Sequence, residues 1–180
     1  MEPPLLVVVT GPPAAGKTTI ARGLAARLRV PLIAKDTIKE ALFDALRTGD
    51  FGWSQRLGEA TYLAMLALAE DSAAADASVV LEANFVRGGD VATRLAALPV
   101  RFVQVHCSAP LDVLLGRYRN RERHPGHVDA ERIDALREAV ETGRHAPLDL
   151  PGETIQLDTT EPVDMSALAN RVAGSRPKDR

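Results

Sequence analysis

The sequence predicts an α/β fold, a five-stranded parallel sheet with helices on both faces. Three observations predict it. Short apolar runs alternate with helically spaced segments along the 180 residues, the order that right-handed βαβ units produce. The first run, Leu5–Thr10, is rich in Val and lacks the alternation of a half-exposed strand, so it reads as buried on both faces. That run leads directly into a glycine-framed loop and then an amphipathic helix.

Taken in order, Ile20, Leu24 and Leu28 give Lys17–Leu28 its helical spacing. A short strand over 31–34 leads to Asp36, which can cap a helix reaching Leu46. A loop containing glycine follows, and Ser54 is placed to cap a long Ala/Leu helix ending near Ala75. The third strand covers 78–81, and a loop with Gly88 and Gly89 precedes a helix over about 90–98. The fourth strand covers 101–106. Pro110 opens a helix that carries four arginines up to Arg123. His124, Pro125 and Gly126 break the pattern before a helix over about 129–141. The last strand spans 154–157 and the last helix 163–172. The whole of 1–180 reads as one domain, with a lid over about 112–142 and a frayed polar tail over 174–180.

Composition narrows the function. Hydrophobic residues make up 46% and aromatic residues 4%, so Ala, Leu and Val must build the core. A net charge of −2 argues against a general nucleic-acid binder, which needs a basic face. Cys107 is the single cysteine, so no intramolecular disulfide forms, and its apolar run predicts a buried, inert thiol. Residues 1–4 lack the basic n-region of a secretory leader, and no apolar stretch nears the ~20 residues of a membrane span. A cytoplasmic protein is expected.

The strongest chemical signal lies at 11–18. Gly11, Gly16, Lys17 and Thr18 fill the pattern G-x-x-x-x-G-K-[S/T], with Pro12, Ala14 and Ala15 between the glycines and Thr19 after them. Glycines let backbone N–H groups turn inward around phosphates, and the following helix adds partial positive charge and unpaired donors. Lys17 is placed to reach the β- and γ-phosphates and Thr18 to ligate Mg²⁺. The chain is therefore expected to be a P-loop NTPase using ATP or GTP with Mg²⁺. It lacks the N-K-x-D element of guanine-specific switches. Its third strand ends on one acid, Glu82, rather than the acidic pair usual in motor ATPases.

Beyond the loop, Lys35, Asp36 and Lys39 follow the second strand, Glu82, Asn84 and Phe85 end the third, and Arg117, Arg119, Arg121 and Arg123 alternate. With these motifs nearly the whole chain resembles the small, nucleoside-kinase-like P-loop kinases that group with chloramphenicol phosphotransferase, zeta toxin and the 5′-hydroxyl kinase domain of polynucleotide kinase. The resemblance implies an ATP-binding kinase of AAA type, in which Asp36 acts as general base and Lys39 helps hold the acceptor. Lys39 stands where polynucleotide kinases carry Arg. It also implies that the R-x-x-x-R pair Arg117 and Arg121 contacts the donor phosphates, and that the loop at Asp158, Thr159 and Thr160 wraps the base.

The residues support parts of this independently. Asp36 follows the carboxyl end of a parallel strand, where ligands of open α/β sheets bind, and can take the proton of an acceptor hydroxyl. Glu82 ends a central strand facing the same cleft and competes for that role, or acts through Mg²⁺. Asn84, Phe85 and Arg87 border the acceptor side. Arg117 and Arg121 lie four apart on one expected helix face, suited to phosphates. Phe43, Phe51, Trp53 and Tyr62 gather near the Asp36 helix, as an acceptor wall or as packing. His124 and His127 alone do not make a metal site.

The expected reaction is transfer of the γ-phosphoryl group to a small-molecule hydroxyl, with an antibiotic or nucleoside antibiotic as one instance. The partners are then a nucleotide and that acceptor, with no membrane and a monomer or homodimer. A polynucleotide or nucleotide kinase is the alternative within enzymes. A nucleotide-binding regulatory module without an acceptor is the alternative outside them.

Overall fold

The computed structural model describes residues 2–46, 51–121, 124–125 and 133–175, apart from the side chain of Phe51. Five strands form one sheet: β1 (Leu5–Thr10), β2 (Leu32–Ala34), β3 (Val79–Glu82), β4 (Arg101–Ser108) and β5 (Gly152–Asp158). Their spatial order is β2-β3-β1-β4-β5 and every neighbouring pair is parallel. The described helices are α1 (Lys17–Leu28), α2 (Lys35–Leu46), α3 (Phe51–Ala74), α4 (Asp90–Ala96), α5 (Leu111–Asn120), α6 (Ile133–Glu141) and α7 (Met165–Gly174).

Strand alternation explains why both faces are covered. Val7 and Val9 pack against Ile20 and Leu24 of α1, Leu114 of α5, and Leu168 and Val172 of α7. Leu6 and Val8 point the other way, onto Met65 and Leu66 of α3 and Leu95 of α4. Val7, Val8 and Val9 are each 0% exposed, and burying such a side chain stabilises by about 1.5–3 kcal/mol. The unbroken apolar run follows from this two-sided burial. No helix among the described residues is long and apolar enough to cross a membrane.

Several expected boundaries shift. The strands outrun their apolar cores because the ladder uses backbone groups, so β4 and β5 stay paired out to Ser108 and Asp158. The second helix begins at Lys35, which puts Asp36 inside its first turn rather than at a cap. A carboxylate there still complements the helix dipole. Ser54 does not cap α3, which starts at Phe51; its hydroxyl instead accepts a 2.8 Å hydrogen bond from Lys39 Nζ. The expected 129–141 helix is described from Ile133, and residues 126–132, with His127, lie outside the described residues. At the C-terminus, α7 runs to Gly174 and Ser175 is buried against Glu153. Only 176–180 of the expected tail lie outside the described residues.

The arginine helix differs most. It ends at Asn120, and Arg121 is extended, with φ −83° and ψ 133°. Arg117 and Arg121 therefore do not share a helix face. The Arg121 guanidinium lies 4.7 Å from the centre of the Tyr118 ring. Arg119 is exposed, while Arg123 lies outside the described residues.

Candidate active site

The phosphate loop leaves β1 at Gly11, whose φ of 136° suits glycine. A Cβ there would lie 2.1 Å from the carbonyl oxygen of Cys107, so the loop passes β4 only because position 11 has no side chain. Gly16, at φ 75°, precedes α1, and Ala14 takes a left-handed φ of 64°. The side chain of Lys17 is buried and its Nζ donates to Pro12 O at 2.8 Å. Thr18 Oγ1 donates to Glu82 Oε2 at 3.2 Å, which draws the first turn of α1 to the end of β3.

Lys17 and Glu82 form the charged centre. Burial pulls the Lys17 ammonium below its ordinary value, and the Glu82 carboxylate opposes the shift. Burial pushes the Glu82 carboxyl up, against the pull of Lys17 and the Thr18 hydrogen bond. Desolvation thus outweighs mutual attraction at both groups, as expected of a site built to receive further charge. Cys107 is fully buried, and desolvation pushes its thiol up to about 12; it is an inert core residue.

A cavity of about 260 Å³ opens above this centre. Ala14, Gly16, Lys17, Thr18 and Thr19 form its floor, and Asp36 and Glu82 stand at the strand ends. Arg117 and Arg121 close it from the lid side. The extended turn after α5 thus delivers both arginines to one cavity. Asp36 is exposed, and its Oδ1 lies 3.4 Å from Lys35 Nζ. Among the described residues, Thr18 and Glu82 supply two neighbouring oxygens, a donor set that fits Mg²⁺, which takes few protein ligands and keeps waters and phosphate oxygens.

A second cavity, about 490 Å³, adjoins it between Gly16, Thr19 and Arg117 on one side and Thr159, Glu161 and Val163 on the other. Arg117 spans the two, donating from Nη2 to Thr159 O at 2.7 Å and from Nη1 to Thr159 Oγ1 at 3.2 Å. Asp158 caps its own turn by accepting from Thr160 N at 2.8 Å.

The acceptor-side candidates divide. Asn84 is half-buried, and Tyr62 Oη donates to its backbone oxygen at 3.1 Å. Phe85 is 2% exposed and belongs to the core under α3; the apolar face of the sheet claims it. Arg87 is exposed and paired with Asp149 at 2.8 Å, outside the cavities just described. Lys39 is buried on Ser54 and Trp53 is half-buried, with the Arg56 guanidinium 5.6 Å from its ring centre. Phe43 meets the His124 ring edge-on. Phe43, Trp53 and Tyr62 thus each have a different neighbour, and the side chain of Phe51 lies outside the described residues. Tyr62 stands at the end of β3, where a tally of aromatics gives no special role. His106 and His145, both buried near Lys17, carry no motif to announce them.

No curated protein shows a significant match to the chain. A family profile described as AAA domain matches residues 6–142. Among solved structures, a candidate kinase from Chloroflexus aurantiacus j-10-fl is 36% identical with a TM-score of 0.87, covering 97% of this chain and 100% of its own. A sugar kinase from Janibacter sp. HTCC2649 is 20% identical with a TM-score of 0.63, over 94% and 92% of the two chains. The tunicamycin resistance protein of Deinococcus radiodurans is 20% identical with a TM-score of 0.53, over 98% and 99%. With its phosphate loop and strand order, the chain belongs to the AAA domain family, as a P-loop enzyme of the kinase kind.

Proposed function

We propose that the protein transfers the γ-phosphoryl group of ATP or GTP to a hydroxyl of a small molecule, with Asp36 as general base. One observation carries the reading: Lys17, Thr18, Asp36, Glu82, Arg117 and Arg121 border a single cavity at the carboxyl end of the sheet. A passive nucleotide binder needs the lysine and the hydroxyl; it has no use for a second carboxylate and two arginines. In this reading the loop amides and Lys17 hold the β- and γ-phosphates. Thr18 and Glu82 would hold Mg²⁺, which neutralises phosphate charge when bound. Asp36 accepts the acceptor's proton, since it is exposed at the cavity while Glu82 is engaged by the Thr18 hydroxyl. Arg117 and Arg121 meet the charge on the transferred group. An antibiotic acceptor remains one instance of this class, prompted by the sequence resemblance.

The test is γ-phosphate transfer from ATP and from GTP, with Mg²⁺, to a panel of sugars, nucleosides, aminoglycosides, phenicols and 5′-hydroxyl oligonucleotides. Lys17→Ala is expected to abolish transfer, and Asp36→Asn to lower kcat by about 10²–10⁴-fold while changing nucleotide affinity little. Slow hydrolysis by the wild type, with no acceptor and no effect of Asp36→Asn, would remove the kinase reading in favour of a regulatory nucleotide binder.

A further inference from the structure

The longest described helix, α3, is covered on one side only. Thr61, Met65, Leu66 and Ala69 are buried, and the last three pack onto the sheet. On the opposite side Arg56, Ala60, Leu63, Ala67 and Asp71 recur at helical spacing and are all exposed. Ala64 is half-buried beside them and Leu68 is exposed. A helix that rests one face on the core ordinarily turns charged and polar residues outward. Between Arg56 and Asp71 this one turns out alanines, with Leu63 59% and Leu68 44% exposed. Glu59 and Glu70 stand at the edge of the stripe, and Glu70 is held by Arg94 of α4 at 2.7 Å.

The charges at its two ends say what covers it. Among the described residues neither Arg56 nor Asp71 has an ion-pair partner; the Arg56 guanidinium rests on the Trp53 ring. The two are placed symmetrically, Arg56 standing as far before Leu63 as Asp71 stands after Ala64. The face is therefore complementary to itself turned end for end, as a two-fold interface requires. A second copy turned about an axis between Leu63 and Ala64 sets Arg56 of each copy against Asp71 of the other. It also sets Ala60 against Ala67 and brings Leu63 beside its own counterpart.

A parallel copy would oppose Arg56 to Arg56 and Asp71 to Asp71, so charge selects the antiparallel arrangement. Alanines along the centre allow the two axes to approach to about 8 Å, the close end of helix packing. The opposite charges of the two ends cancel, which gives nucleic acid or an anionic membrane surface no field to follow. None of the residues lining the phosphate cavity lies on α3, so the pairing leaves that cavity open.

We propose that the exposed face of α3 is a homodimer interface, in which the α3 helices of two copies pack antiparallel about a two-fold axis between Leu63 and Ala64.

Sedimentation velocity of the full chain, from low to high micromolar concentration, is the test. Wild type is expected to reach twice the chain mass and to go no further, because a two-fold interface closes on itself. Leu63→Lys sets like charges together on the axis and is expected to weaken association at least tenfold. Arg56→Asp and Asp71→Arg each oppose like charges and are expected to weaken it at least threefold. Carried together they exchange the pair, and the dissociation constant is expected to return to within threefold of wild type. Should Leu63→Lys fail to fold, the charge exchange decides alone. A wild type that stays monomeric overturns the proposal, as does a mass that grows past two chains. A dimer indifferent to Leu63→Lys lies elsewhere on the surface and overturns it as well. So does a double charge variant as weak as the single ones, since Arg56 and Asp71 then do not meet.

Discussion

At Gly11 a single hydrogen atom decides whether the phosphate loop can form. A methyl group would approach the Cys107 carbonyl oxygen to 2.1 Å, against main chain that β4 holds on both sides, and the φ of 136° is strained for any other residue. Gly11→Ala is expected to cost about 3 kcal/mol or more, combining steric overlap with backbone strain. Urea unfolding checks this, and a midpoint equal to wild type would contradict it. Gly16→Ala is milder by the same reasoning. Its φ of 75° is strained, yet the nearest atom to a Cβ is 3.7 Å away in the Thr159 side chain, so function rather than space limits that position. The motif at 11–18 was legible because it is local; the reason for its first glycine was not, since Cys107 lies 96 positions further on.

At the scale of elements, α5 and the extended residue after it set the lid chemistry. Arg117 is tied to the Thr159 loop by two hydrogen bonds, whereas Arg121 rests on the Tyr118 ring. Arg117 thus borders both the phosphate cavity and the one beside Thr159 and Glu161, and Arg121 borders the phosphate cavity alone. Arg117→Ala is expected to raise the nucleotide KM about tenfold and lower kcat as well. Arg121→Ala is expected to lower kcat with KM changed less than threefold. Steady-state kinetics with varied nucleotide separates the two; equal effects on KM would contradict the assignment. The R-x-x-x-R spacing pointed to two arginines that border one cavity, though not through a shared helix face. They meet because the helix stops between them, a break with no proline or glycine to mark it in the sequence. At the other end of the site, Lys39 went into the α2–α3 contact because Ser54 faces it from the neighbouring helix.

For the whole molecule, the buried ionisable groups make stability depend on pH. His106 and His145 fold with values below the ordinary imidazole 6.5. Their contribution is therefore complete above pH 6.5 and is lost as pH falls below it, because the unfolded chain takes up protons first. Each group can add a slope of at most about 1.4 kcal/mol per pH unit. Glu82, raised by burial, acts in the opposite sense, stabilising most below the ordinary carboxylate value of 4.5 and less as pH rises. Denaturant unfolding at pH 7.5, 6.5 and 5.5 is expected to show wild-type stability falling toward acid. His106→Asn should fall less steeply, and parallel slopes for the two would contradict burial of a neutral imidazole.

The sequence by itself determined the parallel sheet, the phosphate loop and the carboxylates at the ends of β2 and β3, because each is written in residues close along the chain. Strand burial shows as apolar runs and phosphate binding as glycine spacing, while the strand order β2-β3-β1-β4-β5 came from the structure. Tertiary structure alone decided which candidates share a cavity. It sent Phe85 to the core and Arg87 to a surface pair with Asp149, brought Arg121 to the cavity above Lys17 through an extended turn, and set His106 and His145 beside Pro12. Those outcomes depend on contacts between residues tens of positions apart, where local pattern carries no signal and packing makes the choice.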